Sequence, residues 1–199
     1  MYYSPKYEAQ WGLPPRTASR MTKEFLDKLG FNELFGHHIV VNVRNDWELI
    51  INTRNPYAVA ASMWILTYKN RKKSNRPVPT FLEHTLELDR PTYGIPFEIG
   101  PSHYLRIFNR MPDRVIRYEN FAEDIMNVPF IKDNSNLLQT EIDKLYQGDV
   151  PWIDDYPEEV RRPYHEFYDQ ELANIVYRQR KLEFDNFGYD PNSWKTLVK

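Results

Sequence analysis

The stretch "WELIINTRNPYAVAAS" (47–62) joins a strand pattern directly to a helix pattern. Residues 47–54 form a nearly continuous apolar run with adjacent isoleucines, which is typical of a strand that is buried on both faces. Pro56 suits the first turn of a helix, and the alanines that follow it favour helix. A strand that leads straight into a helix is the repeating unit of parallel α/β sheets, so the stretch predicts an α/β fold.

The same order of strand and helix occurs upstream. Residues 7–13 are short, rich in aromatic side chains and followed by two prolines, as expected for a strand that ends abruptly. Residues 19–29 place apolar side chains at helical spacing, and Gly30 supplies a stop. Two such units predict a sheet of parallel strands with helices packed on it.

The remaining elements complete the predicted architecture. Further strands are expected at 37–43 and 113–121 and helices at 137–146 and about 158–184. An exposed loop is expected at 71–80 and an irregular stretch at 89–101. The sequence therefore predicts a single domain over 1–199, a three-layer P-loop-like α/β domain. Its central parallel β-sheet is flanked by helices and its C-terminal part is helical.

Composition limits the classes of partner. A net charge of −2 gives no overall attraction to nucleic acid or to an anionic membrane, so an anion site must be local. The absence of cysteine excludes disulfides and thiolate metal sites. The first residues lack the apolar core of a signal peptide, and no run reaches the roughly 20 apolar residues of a membrane span. These features lead us to expect a soluble, cytoplasmic protein.

The segment "PPRTASRM" (14–21) lies where the first long helix is predicted to begin. A helix N-terminus carries unpaired N–H groups and the positive end of the helix dipole, so it attracts phosphate. Arg16, Thr17 and Ser19 would add a cation and two hydroxyls there. The segment has no glycine and is not a Walker A sequence. A plain helix cap is the alternative explanation.

The segment "INTRNPYAVAAS" (51–62) offers a second anion site. Arg54 follows the predicted buried strand, and Ser62 lies in the next helix. The carboxyl ends of parallel strands are where α/β folds bind ligands, and arginine can form a forked pair with phosphate. Alternatively, Arg54 forms a surface ion pair at the sheet edge and Ser62 is a small packing residue.

Three motifs in this order resemble those of sulfotransferases, and more specifically the carbohydrate-type enzymes and their short bacterial and viral relatives. They are "PPRTASRM" (14–21), "INTRNPYAVAAS" (51–62) and "VIRYENFAEDI" (115–125). The segment 163–191 also resembles the closing helix and the Phe-Gly-Tyr turn of the family. The resemblance covers about 7–191 and implies 3′-phosphoadenosine 5′-phosphosulfate (PAPS) as the sulfuryl donor, with no metal.

The resemblance also implies roles for individual residues. The first motif of the family holds the 5′-phosphosulfate, so the residues implied to bind the donor there are Arg16, Thr17, Ala18, Ser19, Arg20 and Met21. The second motif holds the 3′-phosphate, which implies Arg54 and Ser62 as its ligands. Arg16 stands where the family commonly has lysine, and Arg20 stands where it has a second threonine.

A base must accept the proton of the acceptor hydroxyl, and histidine suits that role because it titrates near neutrality. The resemblance implies a base near the start of the strand at 37–43, which favours His38 with His37 as the alternate. Arg16 would stabilise charge on the leaving phosphate, and His103 lies in a region that often contacts the acceptor.

The predicted activity is transfer of a sulfuryl group from PAPS to a hydroxyl of a carbohydrate or small molecule, with no nucleic acid or membrane partner. Two alternatives stay open. The chain could be a nucleotide-binding or glycan-binding module of the same fold that has lost catalysis. A nucleotide-dependent kinase is disfavoured because there is no Walker A lysine and no evident carboxylate pair for magnesium.

Overall fold

A computed structural model describes residues 1–14, 16–33, 44–87, 108–147, 160 and 162–195. The chain divides into two compact units, one of 1–53 with 99–149 and the other of 54–98 with 150–199. Among the described residues, no helix combines the length and the apolar character needed to cross a membrane.

The first unit contains a mixed sheet. Its strands, within the described residues, are β1 (Tyr2–Ser4), β2 (Ala9–Gly12), β3 (Asn32–Glu33), β4 (Glu48–Thr53) and β5 (Arg114–Arg117), in the spatial order β3-β1-β2-β4-β5. β2, β4 and β5 are parallel, with Gln10 opposite Leu49 and Ile51 opposite Val115. The prediction of a mixed α/β fold with parallel strands at 7–13, 47–54 and 113–121 is confirmed at this level.

The sheet is mixed, and the predicted parallel arrangement holds for β2, β4 and β5 only. β1 runs antiparallel to both β2 and β3. Four residues, 5–8, connect β1 to β2, and so short a connection permits only a hairpin. Glu8 accommodates this turn with a left-handed φ of 49°.

In the part of the chain that the structure describes, the helices are α1 (Ser19–Lys28), α2 (Pro56–Lys73), α3 (Phe81–Glu87), α4 (Phe121–Met126), α5 (Pro129–Asp133), α6 (Gln139–Gln147), α7 (Gln170–Gln179) and α8 (Lys181–Phe187). Short 3₁₀ turns cover Tyr118–Asn120, Tyr164–Phe167 and Ser193–Lys195. α1 and α4 to α6 belong to the first unit, and α2, α3, α7 and α8 belong to the second.

The core of the first unit forms where α1 packs against the sheet. Phe25 and Leu26 of α1 are buried together with Trp11 of β2, Ile50 of β4 and Phe130 of α5. Leu49, Ile50 and Ile51 are all fully buried, as expected for a strand covered on both faces. Burial of such side chains contributes about 1.5–3 kcal/mol each to folding, so β4 anchors this unit.

The second unit is built around α2 and is rich in aromatic contacts. Tyr57 of α2 packs edge-on against Tyr168, with ring centroids 5.1 Å apart. The Tyr168 hydroxyl donates to the Tyr57 carbonyl oxygen at 2.8 Å, and the Tyr57 hydroxyl donates to the Pro191 carbonyl oxygen at 2.8 Å. These bonds satisfy the polar ends of buried rings and fix the C-terminal segment on α2.

The prediction of one long C-terminal helix over about 158–184 is wrong. Within the described residues this region contains a 3₁₀ turn, then α7, then α8. Asp169 caps the N-terminus of α7 by accepting from the Leu172 N–H at 2.9 Å. Arg180 separates α7 from α8 with φ −112° and ψ 19°, which is outside the helical region.

We expect His84 to make the stability of the second unit depend on pH. This histidine of α3 is buried, and its Nε2 atom has no hydrogen-bond partner among the described residues. Burial, together with the charge of Arg71, lowers the pKa of His84 to about 4. The unfolded chain binds the proton at the ordinary histidine pKa of about 6.5, so acid favours unfolding between these values.

We therefore expect protonation of His84 to lower the free energy of unfolding by about 2–3 kcal/mol as the pH drops from 6.5 to 4. The contribution is fully present above pH 6.5. Urea unfolding of wild type and His84→Leu across this range measures it, because the variant should lose this part of the pH dependence. Asn174→Ala, at an exposed position of the same unit and without a titratable group, is the control and should keep the wild-type slope. Identical slopes for wild type and His84→Leu would contradict the prediction.

Candidate functional site

The loop that enters α1 has an unusual backbone. Arg16 and Ala18 adopt left-handed conformations with φ of 68° and 61°, although neither is glycine. Where left-handed and right-handed residues alternate, consecutive backbone N–H groups converge on one point and bind anions. A left-handed residue other than glycine costs about 1–3 kcal/mol, and such strain is concentrated at functional sites. Two left-handed residues other than glycine therefore lie directly at the entrance to α1.

The capping alternative finds little support in this loop. The N-cap residue of α1 is Ala18, which makes no side-chain cap hydrogen bond. Alanine cannot supply the acceptor that Ser, Thr, Asp or Asn provides to the first N–H groups of a helix. The positive end of the α1 dipole is therefore not neutralised by its N-cap residue.

Asn52 of β4 holds the strained loop in place. Its Nδ2 group donates to the Thr17 carbonyl oxygen at 2.8 Å and to the Thr22 hydroxyl at 2.7 Å. Its Oδ1 atom accepts from the Trp11 indole N–H at 2.8 Å. Asn52, Trp11, Thr17 and Thr22 are all fully buried. Each polar group in this network has a partner, so it fixes the loop relative to β2 and β4.

Hydroxyl groups within the loop add to this fixation. The Thr17 hydroxyl donates to the Pro14 carbonyl oxygen at 2.6 Å, and the Thr22 hydroxyl donates to the Ala18 carbonyl oxygen at 3.2 Å. The Thr17 side chain is buried and its proton is engaged, so only the backbone of Thr17 is left to contact an anion in the loop. This geometry does not favour the predicted role of the Thr17 hydroxyl as an anion ligand.

The other residues predicted in this segment differ in exposure. Arg16 and Ser19 are half-buried, and Arg20 is exposed. Ala18 is buried, and Met21 packs against the core of the first unit. The loop thus combines a fixed backbone with two arginines that solvent reaches.

The second predicted segment (51–62) begins in the last residues of β4, in the first unit, and continues into α2, in the second unit. Asn55 caps α2, because its Oδ1 atom accepts from the Tyr57 N–H at 3.0 Å, and Pro56 occupies the first turn. The Asn55 Nδ2 group donates to Ser193 Oγ at 2.8 Å. Arg54 is half-buried and Ser62 is buried on α2. The "RNP" sequence therefore has a structural role in starting α2, beside the binding role predicted for Arg54.

The predicted base and acceptor residues fall outside the segments that form the site described above. His37, His38 and His103 lie outside the described residues, as does the strand predicted at 37–43. The described residues contain no group of three or more His, Asp or Glu side chains arranged to hold a metal ion.

Sequence reasoning missed Asn52 and its bond to Trp11. A signal was present, because "ELIINT" (48–53) places an asparagine within a strand predicted to be buried on both faces. A buried amide must find hydrogen-bond partners, so an asparagine at that position predicts a polar network. The sequence could not identify the partners.

Comparison of the chain with protein-family models, curated proteins and solved structures finds no match in any of the three. The geometry of the described residues and the motif resemblance are therefore the basis for a functional proposal.

Asn52→Ala should lower the free energy of unfolding by about 2–4 kcal/mol, because it leaves the Trp11 N–H and the Thr17 carbonyl buried without partners. Urea unfolding followed by circular dichroism measures the loss. Asn127→Ala, at an exposed position of the same unit, should stay within about 0.5 kcal/mol of wild type. A loss below 1 kcal/mol for Asn52→Ala would mean that the network does not hold the loop.

Proposed function

We propose that the chain is a PAPS-dependent sulfotransferase that transfers a sulfuryl group to a carbohydrate hydroxyl. The observation that carries the proposal is the strained loop 16–19 at the start of α1, held by the buried Asn52. Strain of this kind persists only where the surrounding structure enforces it. Binding of an anion by the loop backbone would explain why the strain is retained.

The loop supplies the features that a phosphosulfate group requires. Its backbone N–H groups act together with the positive end of the α1 dipole. Arg16 and Arg20 add positive charge on the same segment, and a guanidinium can form two parallel hydrogen bonds with a phosphate. In the proposal these groups bind the 5′-phosphosulfate, and Arg16 also stabilises charge on the leaving phosphate.

The assignment of the 3′-phosphate rests on the motif resemblance. Arg54 and Ser62 would bind this phosphate, and the capped start of α2 would fix the backbone that carries Arg54. The 3′-phosphate distinguishes PAPS from ATP. The assignment therefore predicts that the chain prefers nucleotides with a 3′-phosphate to ATP.

The reaction needs positioning and one proton acceptor. The acceptor oxygen forms a bond to sulfur while the bond between sulfur and the 5′-phosphate oxygen breaks, which releases adenosine 3′,5′-bisphosphate. The hydroxyl proton passes to a base, for which His38 is proposed and His37 is the alternate. His103 is proposed to contact the acceptor. Orientation and charge stabilisation account for most of the rate enhancement in such a scheme.

Adenosine 3′,5′-bisphosphate should raise the melting temperature, because a ligand that binds only the folded state stabilises it. At 100 times its Kd the gain is about 2.7 kcal/mol. For a chain of this size, 1 kcal/mol corresponds to a shift of about 2–4 °C, so a shift of about 5–10 °C is expected. ATP at the same concentration should give a clearly smaller shift. Differential scanning fluorimetry measures both.

Two variants of the first unit sharpen this experiment. Arg16→Ala should reduce the shift, whereas Arg44→Ala, at an exposed arginine that pairs with Asp46, should leave it unchanged. Binding without turnover of PAPS would favour the non-catalytic module. A complete absence of binding would contradict both readings.

A further inference from the structure

A segment near the C-terminus is bonded to the first turn of α2. The Asn55 Nδ2 group donates to Ser193 Oγ at 2.8 Å, and the Tyr57 hydroxyl donates to the Pro191 carbonyl oxygen at 2.8 Å. These residues all belong to the second unit, although 138 positions of sequence separate Asn55 from Ser193. We call this set of four residues, Asn55, Tyr57, Pro191 and Ser193, the C-terminal clasp.

The side chains that form the clasp are buried. Asn55 is 2% exposed, Tyr57 is 1% exposed and Ser193 is 5% exposed. Burial and the nearby charge of Asp190 raise the pKa of Tyr57 to about 12, so its hydroxyl keeps its proton and remains a donor at neutral pH. The Tyr164 hydroxyl donates to the Ser193 carbonyl oxygen at 3.1 Å. Ser193 is therefore held through both its side chain and its backbone.

Asn55 uses both ends of its side chain. Its Oδ1 atom accepts from the Tyr57 N–H at 3.0 Å and so caps α2. That capping bond needs only an oxygen acceptor, which serine, threonine or aspartate would also supply. The Nδ2 group is particular to the amide, and a buried amide group needs acceptors of its own. Ser193 Oγ is one such acceptor, so Ser193 helps to set the orientation in which Asn55 caps the helix.

The clasp acts on the backbone next to Arg54. This arginine directly precedes Asn55, whose φ of −45° and ψ of 121° lie outside the helical region. The helix begins at Pro56, and the cap holds the residue that joins Arg54 to it. A cap whose side chain is bonded at both ends keeps this junction in one conformation. The point from which the Arg54 side chain leaves the backbone is then fixed before any ligand binds.

We propose that Ser193 is a positioning residue for the 3′-phosphate, because through Asn55 it fixes the backbone that carries Arg54. The inference rests on the proposed function, in which Arg54 binds this phosphate. A binding group that is already held in place loses less conformational freedom when the ligand binds, so affinity rises. Ser193 does not touch the nucleotide in this scheme. Its effect is therefore confined to ligands that carry a 3′-phosphate.

A purely structural anchor for the C-terminal segment is the alternative role. Apolar contacts already supply such an anchor, because Tyr189 and Trp194 pack against the buried cluster that contains Tyr57 and Phe184. The two roles differ in what they predict. Loss of an anchor leaves all nucleotides unaffected or weakens all of them alike, whereas loss of a positioning residue weakens binding of the 3′-phosphate selectively.

The first test is isothermal titration calorimetry with adenosine 3′,5′-bisphosphate and with adenosine 5′-phosphosulfate, which lacks the 3′-phosphate. Ser193→Ala should weaken binding of the bisphosphate by about threefold to tenfold, on the scale of one lost hydrogen bond. Its affinity for adenosine 5′-phosphosulfate should change by less than about twofold, because that ligand does not use Arg54 in the proposal.

Two further variants control this experiment. Ser193→Thr keeps the hydroxyl and should retain most of the affinity for the bisphosphate. Asn192→Ala removes an exposed bond between the Lys195 ammonium and the Asn192 side chain in the same segment, and it should bind both ligands normally. Equal losses in Ser193→Thr and Ser193→Ala would show that the hydroxyl is not the group that acts, which would overturn the inference.

Hydrogen exchange in the free protein, followed by nuclear magnetic resonance, tests the positioning step itself. The Tyr57 N–H, which donates to the Asn55 cap, should exchange at least about threefold faster in Ser193→Ala than in wild type, because the cap is less firmly held. Exchange in α7, for example at Val176, should stay at the wild-type rate.

The outcomes separate this inference from the proposed function. Unchanged bisphosphate affinity in Ser193→Ala, equal losses for the two ligands or unchanged exchange at Tyr57 would each overturn the inference, while binding by wild type would still support the proposed function. Failure of Ser193→Ala to fold, checked by thermal melting, would identify Ser193 as a structural anchor and also overturn it. Failure of wild type to bind the bisphosphate would contradict the proposed function and this inference together.

Discussion

Arg54→Ala is expected to weaken binding of adenosine 3′,5′-bisphosphate by about 2–5 kcal/mol, the usual effect of removing one partner of a desolvated charge pair. That range corresponds to a loss in affinity of about 30-fold to several thousandfold. The proposal assigns Arg54 to the 3′-phosphate, and this residue is half-buried next to the cap of α2. Arg54→Lys should recover only part of the affinity, because a point charge cannot form the forked contact.

Calorimetric titration of wild type and both variants gives the affinities. Arg178→Ala, at an exposed arginine of the same unit, is the matched control and should bind normally. Urea midpoints establish that each variant is folded under the conditions of the titration. Normal binding by Arg54→Ala would favour the alternative in which this arginine forms an ion pair at the sheet edge.

The strand-to-helix units were predictable because their signals are local. Leu49 to Ile51 form an unbroken apolar run, and a strand buried on both faces needs one. Pro56 marks the first turn of α2, where proline costs no hydrogen bond. Apolar spacing and Gly30 likewise predicted α1 to within a residue at its C-terminal end.

The errors occurred where tertiary contacts override local pattern. The helical pattern of 158–184 continues through Arg180, but the chain leaves the helix there and resumes it as α8. β1 is only three residues long, so its sequence carries little periodic signal. Its pairing is fixed by the short turn to β2 and by neighbours distant in sequence, such as Asn32 and Glu33.

The location of the candidate site stays a prediction, and the contacts that hold its loop could not be predicted from the sequence. The position of Arg16 and Ser19 before a helix indicated an anion site, and the left-handed backbone of the loop supports that hypothesis. A left-handed backbone is normally predicted from glycine. Because residues 16 and 18 are arginine and alanine, their sequence did not predict it. The role of Asn52 depends on contacts across 30 to 41 residues, which composition and spacing do not reveal.

His38→Ala is expected to lower turnover by about 10²–10⁴, the usual contribution of a positioned general base. Affinity for adenosine 3′,5′-bisphosphate should stay nearly unchanged, because the proposed imidazole faces the acceptor hydroxyl and not the phosphates. The wild-type rate should rise with pH through one ionisation near neutrality, where imidazoles ordinarily titrate, and His38→Ala should lack that rise. Steady-state kinetics with labelled PAPS across pH measures all three effects.

His37→Ala is the matched control for this experiment. In the strand predicted at 37–43, adjacent side chains face opposite sides, so the change at His37 should be mild if His38 faces the acceptor. Loss of turnover in His37→Ala with normal turnover in His38→Ala would shift the base by one residue. Full activity of both variants would show that another group accepts the proton. The histidine mechanism would then be wrong, while the melting shift with adenosine 3′,5′-bisphosphate would still test whether loop 16–19 binds phosphate.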